Sequence, residues 1–119
     1  MKLSIKSDDG ALIRLQCEGP ITLPQVQQGL KPLEELLGPA GYGRRVLFDL
    51  EKTNFIDSSG VSWMLVCHKE FTRAGGQIVF YAAPPLVRQT LDLLRMSLVL
   101  HLTADEKSAR AVLRENSGP

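Results

Sequence analysis

Three consecutive side chains, Asp57, Ser58 and Ser59, place a carboxylate and two hydroxyl groups in one short polar turn. All three residue types cap helix N-termini well, so one of them can cap a following helix and leave a hydroxyl unused. An unused hydroxyl at that position could accept a phosphate, because the N-terminus of a helix stabilises anions. It could also act as a nucleophile if a base lay beside it.

The nucleophile interpretation finds little support in the rest of the sequence. No Gly-x-Ser-x-Gly turn surrounds the serines, and only His68 and His101 could serve as a base. The spacing of His68 places it on an apolar helix face, where we expect a buried or edge histidine, and His101 falls in a strand near the end of the chain. We therefore expect no enzymatic activity and no catalytic residue.

The serine turn lies between two apolar segments that must position it. Residues 45–50 (Arg-Val-Leu-Phe-Asp-Leu) form a continuous apolar run, typical of a strand buried on both faces of a parallel sheet. After the turn, apolar spacing predicts a helix of about four turns, carried by Val61, Met64, Leu65, His68 and Phe71. The turn is thus predicted at the carboxyl end of a central strand and at a helix N-terminus, where open α/β sheets usually bind ligands and partners.

Composition limits the classes of function. The chain has 119 residues, a length that fits one domain. With 14 Lys+Arg against 13 Asp+Glu, its formal net charge is +1, which does not supply the excess of basic residues typical of a nucleic-acid-binding protein. No apolar run has the length of a membrane span or a signal peptide, so we expect a cytoplasmic protein without membrane insertion. Cys17 and Cys67 lie within predicted elements and match no metal motif. We expect both to be reduced core residues, with no metal or cofactor bound.

The first half of the chain begins with two alternating segments joined by Asp8-Asp9-Gly10, which predicts an antiparallel hairpin. A helix is predicted from Thr22 to Leu37. It contains Gly29 and Pro32, and because proline removes a backbone hydrogen bond we expect this helix to be kinked or split near Lys31.

The second half alternates helices and strands. Residues 77–81 predict another buried strand, Pro84-Pro85 opens a helix with leucines at 86, 91, 93 and 94, a short strand covers residues 98–102, and a last helix starts near Asp105. The order β-β-α-β-α-β-α-β-α predicts a single α/β domain over residues 1–115, with a mixed, mostly parallel sheet, crossover helices and a frayed tail at 116–119. Residues 46–50 and 78–81 should be adjacent or near-adjacent parallel strands.

Residues 46–50, the segment Phe-Ile-Asp-Ser-Ser-Gly-Val at 55–61 and the Gly75-Gly76 strand entry together resemble the STAS domain of bacterial anti-sigma factor antagonists. The resemblance covers nearly the whole chain. It implies that Ser58 is phosphorylated by a partner anti-sigma factor that is also a serine kinase, and that a serine phosphatase reverses the modification. The unphosphorylated protein would capture the anti-sigma factor and release the sigma factor for transcription.

The chain departs from the family pattern at two places. Thr22 stands where the family usually has an Asp that helps to engage the kinase, and the helix before the central strand, uninterrupted in the family, carries Gly29 and Pro32. A second interpretation therefore remains: a constitutive STAS scaffold subunit of a lipid-transporting ABC complex, in which the serine turn contacts a partner without being modified.

The predicted partner-binding set surrounds the phosphorylation site at Ser58. It consists of Thr22, Asp57, Ser58, Ser59, Gly60, Ser62 and Trp63. Within it, Asp57 and Ser59 are predicted to act structurally, and Gly60 to allow the helix to approach a neighbour closely. Trp63 falls off the apolar helix face, where it could be an exposed binding anchor or could pack under a neighbouring loop.

Overall fold

A five-stranded mixed sheet with the strand order β1-β2-β3-β4-β5 organises the chain. The structure is a computed structural model, and it describes residues 1–115. The strands are β1 (Lys2–Asp8), β2 (Leu12–Glu18), β3 (Arg45–Lys52), β4 (Gln77–Tyr81) and β5 (Leu102–Thr103). The helices are α1 (Leu23–Val26), α2 (Lys31–Leu37), α3 (Ser58–Arg73), α4 (Pro85–Leu93) and α5 (Glu106–Glu115). Two 3-10 turns cover Gly41–Gly43 and Met96–Leu98.

The pairing of the strands confirms the predicted topology. β1 and β2 form an antiparallel hairpin, whereas β2, β3, β4 and β5 run parallel to one another. Val46 lies beside Ile78, and Phe48 beside Phe80, so the two predicted buried strands are direct neighbours. Each parallel pair needs a crossover, and the helices between successive strands supply it.

Apolar side chains pack on both faces of the sheet, which explains why β3 and β4 read as continuous apolar runs. On one face, α1 to α4 cover the larger core, which contains Phe48, Phe71 and Phe80. On the other face, α5 packs Ala109 and Leu113 against Leu47 and Val79. Cys17 and Cys67 are buried in the larger core as unpaired thiols, as predicted.

The predicted interruption of the first helix is confirmed. α1 ends at Val26 and α2 starts at Lys31, with Pro32 in the first turn of α2, where its missing N–H costs nothing. Gly29, between them, has a φ of +61°, a left-handed conformation that glycine adopts without strain.

The predicted strand at residues 98–102 is wrong over most of its length. Arg95 adopts the left-handed region with a φ of +56°, ends α4, and turns the chain into the 3-10 turn at Met96–Leu98. Only Leu102 and Thr103 pair with β4, beside Phe80 and Tyr81, and the His101 carbonyl oxygen accepts from the Phe80 N–H at 2.9 Å. Leu98 and Val99 consequently lie in solvent. The predicted tail at 116–119 lies outside the described residues.

His68 of α3 and His101 pack ring against ring, with centroids 5.6 Å apart. Partial burial, and then the neighbouring charge of His101, lower the pKa of His68 below its usual value of about 6.5. The folded protein therefore binds this proton more weakly than the unfolded chain does. The contribution of the neutral ring to stability is complete above about pH 6.5 and is lost as the pH falls toward the folded-state pKa.

We accordingly expect the free energy of unfolding, measured by urea denaturation, to decrease when the pH is lowered from about 7.5 to about 5. His68→Gln removes the titrating group and should make this pH dependence shallower. An unchanged slope in the variant would show that other groups cause the acid sensitivity.

Candidate functional site

Two loops at the carboxyl ends of β2 and β3 are joined through their backbones at the serine turn. The Ile21 N–H donates to the Phe55 carbonyl oxygen at 2.9 Å, and the Asp57 N–H donates to the Ile21 carbonyl oxygen at 3.4 Å. Ile21 and Ile56 form a parallel bridge, and both side chains are buried. The backbone that leads into the serine turn is therefore held at the sheet edge by main-chain pairing and by the core.

The Asp57 carboxylate then connects two helix N-termini. Asp57 is the N-cap of α3, and its Oδ1 accepts a hydrogen bond from the Gly60 N–H at 2.9 Å. Its Oδ2 accepts from the N–H of Leu23, the first residue of α1, at 3.1 Å. The structural role predicted for Asp57 is thus present in the geometry, and this side chain also positions α1.

Gly60 lies where α3 comes closest to the β2–α1 loop. A Cβ atom at this position would be 2.0 Å from the carbonyl oxygen of Ile21 and 2.7 Å from the Ile56 side chain. Real side chains do not approach backbone atoms this closely, so only glycine fits here. This close approach is the one predicted for Gly60.

Ser58 is the first residue of α3, and its side chain is exposed. Asp57 caps the helix, so the Ser58 hydroxyl is not needed for capping. Among residues 1–115 this hydroxyl has no hydrogen-bond partner. The backbone N–H groups of Ser58 and Ser59 also have no acceptor within this part of the chain. An anionic group on the Ser58 hydroxyl would therefore meet two available donors and the positive end of a four-turn helix.

Trp63 is buried, so of its two predicted arrangements the exposed binding anchor is wrong. Only 4% of the residue is accessible, and its Nε1–H donates to the Gly29 carbonyl oxygen at 2.8 Å. The ring packs edge-on against Phe48, with centroids 6.1 Å apart. The interruption of the first helix explains this position, because the turn between α1 and α2 lies over α3 and supplies both cover and an acceptor. The structure therefore has the other predicted arrangement, in which the tryptophan packs under a neighbouring loop.

The remaining predicted residues border the same region. Ser59 and Ser62 line a shallow groove between α3 and the α1–α2 turn, whose other lining residues are Val26, Gly29, Leu30, Trp63 and Val66. Thr22 precedes α1, is half-buried, and donates its hydroxyl to the Gln25 side chain. The contact between Leu23 and Asp57 brings Thr22 next to the serine turn, so the fold gathers the predicted set at one sheet edge.

Three exposed apolar side chains near the turn were absent from the predicted set. Leu23 is 54% exposed, Phe55 is 46% exposed, and Val66 borders the groove. For Phe55 a signal existed: it directly precedes the buried Ile56 in an extended segment, where successive side chains point to opposite sides. We call Leu23, Phe55, Ser58, Ser59 and Ser62 together the Ser58 surface. It combines apolar contact area with a modifiable hydroxyl.

The two histidines contact each other and not the serines. The hydrogen bonds within residues 1–115 include none that joins His68 or His101 to Ser58 or Ser59, and the two rings instead contact each other.

A five-stranded mixed sheet with an N-terminal antiparallel hairpin and crossover helices is the architecture expected for a STAS domain. Residues 2–109 match the family model described as STAS domain. The chain therefore belongs to the STAS family. Within residues 1–115, none of the helices has the length and apolar character needed to cross a lipid bilayer.

Solved structures share this fold at low sequence identity. A candidate anti-sigma factor antagonist from Thermotoga maritima superposes with a TM-score of 0.81 at 16% identity, over 94% of both chains. The anti-sigma factor antagonist SpoIIAA in its unphosphorylated form gives a TM-score of 0.70 at 17% identity, over 96% of this chain and 97% of that chain. The murine anion transporter Slc26a9 gives a TM-score of 0.76 at 13% identity, over 94% of this chain but 19% of the transporter. At these identities the likeness concerns the fold.

The close approach at Gly60 gives a first test of the site's architecture. Gly60→Ala should lower the free energy of unfolding by about 3 kcal/mol or more, because its Cβ would overlap the Ile21 carbonyl oxygen. Gly43→Ala is the matched control, since its Cβ would lie 3.6 Å from the Ala74 carbonyl oxygen, an ordinary contact, and should change stability by less than about 0.5 kcal/mol. Equal effects in urea denaturation would refute the assigned contact.

The buried position of Trp63 gives a second test. Trp63→Ala should cost about 3–5 kcal/mol of unfolding free energy, because it removes a large buried side chain and its hydrogen bond to Gly29. Trp63→Phe keeps most of the packing and should cost clearly less. If Trp63→Ala unfolded at the same urea concentration as the wild type, the residue would have to be exposed in solution.

Proposed function

We propose that this STAS domain is an anti-sigma factor antagonist whose binding is controlled by phosphorylation of Ser58. The observation that supports the proposal is that Asp57, and not Ser58, caps α3 at the serine turn. Asp57 caps α3, while the adjacent Ser58 hydroxyl is exposed and has no partner within the described chain. A hydroxyl that is not needed for capping can be modified without loss of the helix.

The charge of the modification explains how it would act. Phosphorylation adds about −1.5 to −2 charges at neutral pH, beside the carboxylate of Asp57. In the isolated protein, the N–H groups of Ser58 and Ser59 and the helix dipole favour this charge, so folding is preserved. In a complex, the same charge must be desolvated. A penalty of roughly 3 kcal/mol would weaken binding about a hundredfold.

The Ser58 surface has the composition of a protein-binding site. Leu23 and Phe55 offer exposed apolar area near the serine turn, and both are attached to backbone that the Ile21 pairing holds in place. The partner we propose is an anti-sigma factor that is also the serine kinase for Ser58, with a serine phosphatase restoring the binding form. This assignment rests on membership of the family and on similarity to the antagonists described above.

Two observations favour the second function, a constitutive scaffold subunit of a lipid-transporting ABC complex. Thr22 replaces the Asp that the family resemblance leads us to expect, and in this structure its hydroxyl is already bonded to Gln25. The same fold also occurs as part of a transporter, the murine Slc26a9 protein. In the scaffold function, the Ser58 surface would contact its partner permanently and without modification.

Substitutions at Ser58 separate the two functions. Ser58→Ala should fold with nearly wild-type stability, since Asp57 and not Ser58 caps α3, and should bind the anti-sigma factor kinase of the native host persistently. Ser58→Asp should also keep its stability but bind more weakly, by tenfold or more, because its charge must be desolvated beside Asp57. Affinity is measured by titration calorimetry at two salt concentrations, which distinguishes charge repulsion from steric loss.

Ser108→Asp is the matched control for added charge. Ser108 is an exposed serine in the first turn of α5, next to Asp105, on the opposite face of the sheet. It should leave partner affinity unchanged. Equal affinities for wild type, Ser58→Ala and Ser58→Asp would refute the switch and leave the scaffold function standing.

A further inference from the structure

The most exposed apolar side chains of the described chain lie far from the serine turn. Leu98 is 79% exposed and Leu93 is 76% exposed. Five of the nine large apolar residues that are exposed within residues 1–115 fall between positions 86 and 99, namely Leu86, Leu93, Leu94, Leu98 and Val99. We call these five the α4 apolar face. Concentrated exposure of this kind marks a contact surface more often than isolated exposed leucines do.

The local backbone builds this face from two short elements. Leu86 and Leu93 are seven residues apart on α4 and therefore lie on the same side of the helix. The left-handed Arg95 then turns the chain into the Met96–Leu98 3-10 turn, which places Leu98 and Val99 after the end of the helix. Val87, Leu91 and Leu100 are buried and fix both elements to the core. The face is thus anchored on its inner side and uncovered on its outer side.

The charges beside the most exposed leucines are arranged in a self-complementary way. Asp92 directly precedes Leu93-Leu94, and Arg95 directly follows them. The Asp92 carboxylate contacts Arg88 at 3.1 Å, whereas the Arg95 side chain has no ion-pair partner within the described part of the chain. In a two-fold contact centred on Leu93 and Leu94, Asp92 of one copy would approach Arg95 of the other, and the reverse contact would form at the same time.

We propose that the α4 apolar face binds a second copy of this chain and forms a two-fold homodimer. Both signs of charge border the leucines, with Asp92 between Arg88 and Arg95 in the sequence, and this mixed rim fits a self-complementary partner better than an anionic lipid surface, which selects a uniformly basic rim. A standard interface buries about 800 Å² per partner, whereas the largest apolar patch of a monomer covers roughly 300–600 Å². The five side chains with their polar rim therefore suit a small, reversible dimer.

A dimer centred on Leu93 and Leu94 leaves the Ser58 surface uncovered. α4 starts after the carboxyl end of β4, just as α3 starts after the carboxyl end of the parallel strand β3. α4 then runs back toward the amino ends of the strands. Leu93, Leu94 and the following turn are therefore at the far end of the crossover from Ser58. A dimer would present two separate Ser58 surfaces, and its formation does not depend on the function proposed for them.

Sedimentation velocity of the full chain, from low micromolar to several hundred micromolar, tests the proposal. The wild type should show a concentration-dependent monomer–dimer equilibrium. Leu93→Gln should weaken the dimer at least tenfold without loss of stability, because its side chain is already in solvent. Ile5→Gln, which changes an exposed apolar residue on β1, should leave the equilibrium unchanged.

Exchanging the two charges tests the proposed contact between Asp92 of one copy and Arg95 of the other. Arg95→Asp should weaken the dimer, since two aspartates would then face each other, and aspartate tolerates the left-handed backbone of this position. The double variant Asp92→Arg with Arg95→Asp should restore dimerisation. A wild type that stays monomeric throughout, or a double variant that does not recover, would overturn the proposal. So would flotation with phosphatidylcholine–phosphatidylserine vesicles that Leu93→Gln abolishes, because it would assign the face to lipid.

Discussion

The double hydrogen bond of the Asp57 carboxylate is the interaction on which the rest of the site depends. One oxygen caps α3 through Gly60, and the other accepts from Leu23 at the start of α1. A helix N-terminus leaves several N–H groups without intrahelical acceptors, and here one side chain satisfies an N–H from each of two helices. Together with the backbone pairing of Ile21, this carboxylate fixes the position of the serine turn relative to both helices.

This arrangement gives two adjacent residues different environments. Asp57 makes the structural bonds, so Ser58 is released from them and its hydroxyl extends into solvent. Gly60 allows α3 to come close enough to Ile21 for these bonds to form. A charged group on Ser58 can therefore alter what the surface binds while the cap, the core and the sheet remain as they are. Leu93, Leu94 and the turn after α4 lie toward the amino ends of the strands, away from the serine turn.

The sequence allowed the sheet topology and the serine turn to be predicted because both produce local patterns. Buried parallel strands are continuous apolar runs, and an Asp-Ser-Ser-Gly segment between such a strand and a helix is a capping signal. Trp63 could not be placed in this way, because its burial depends on the α1–α2 turn, which crosses α3 only after the first helix has split. The strand predicted at residues 98–102 was wrong for a related reason. The apolar residues of this segment suit a strand, but the left-handed Arg95 redirects the chain before it reaches β4.

We expect Ser58, and not its neighbours, to carry the proposed regulatory phosphate. Mass spectrometry of the protein purified from its native host tests this claim most directly, with fragmentation that assigns the phosphate to a single side chain. We predict one phosphate on Ser58, whose hydroxyl is exposed and unpaired within the described chain. A protein that carries no phosphate under any growth condition, or one modified at Ser59 or Ser62 with Ser58 intact, would contradict it.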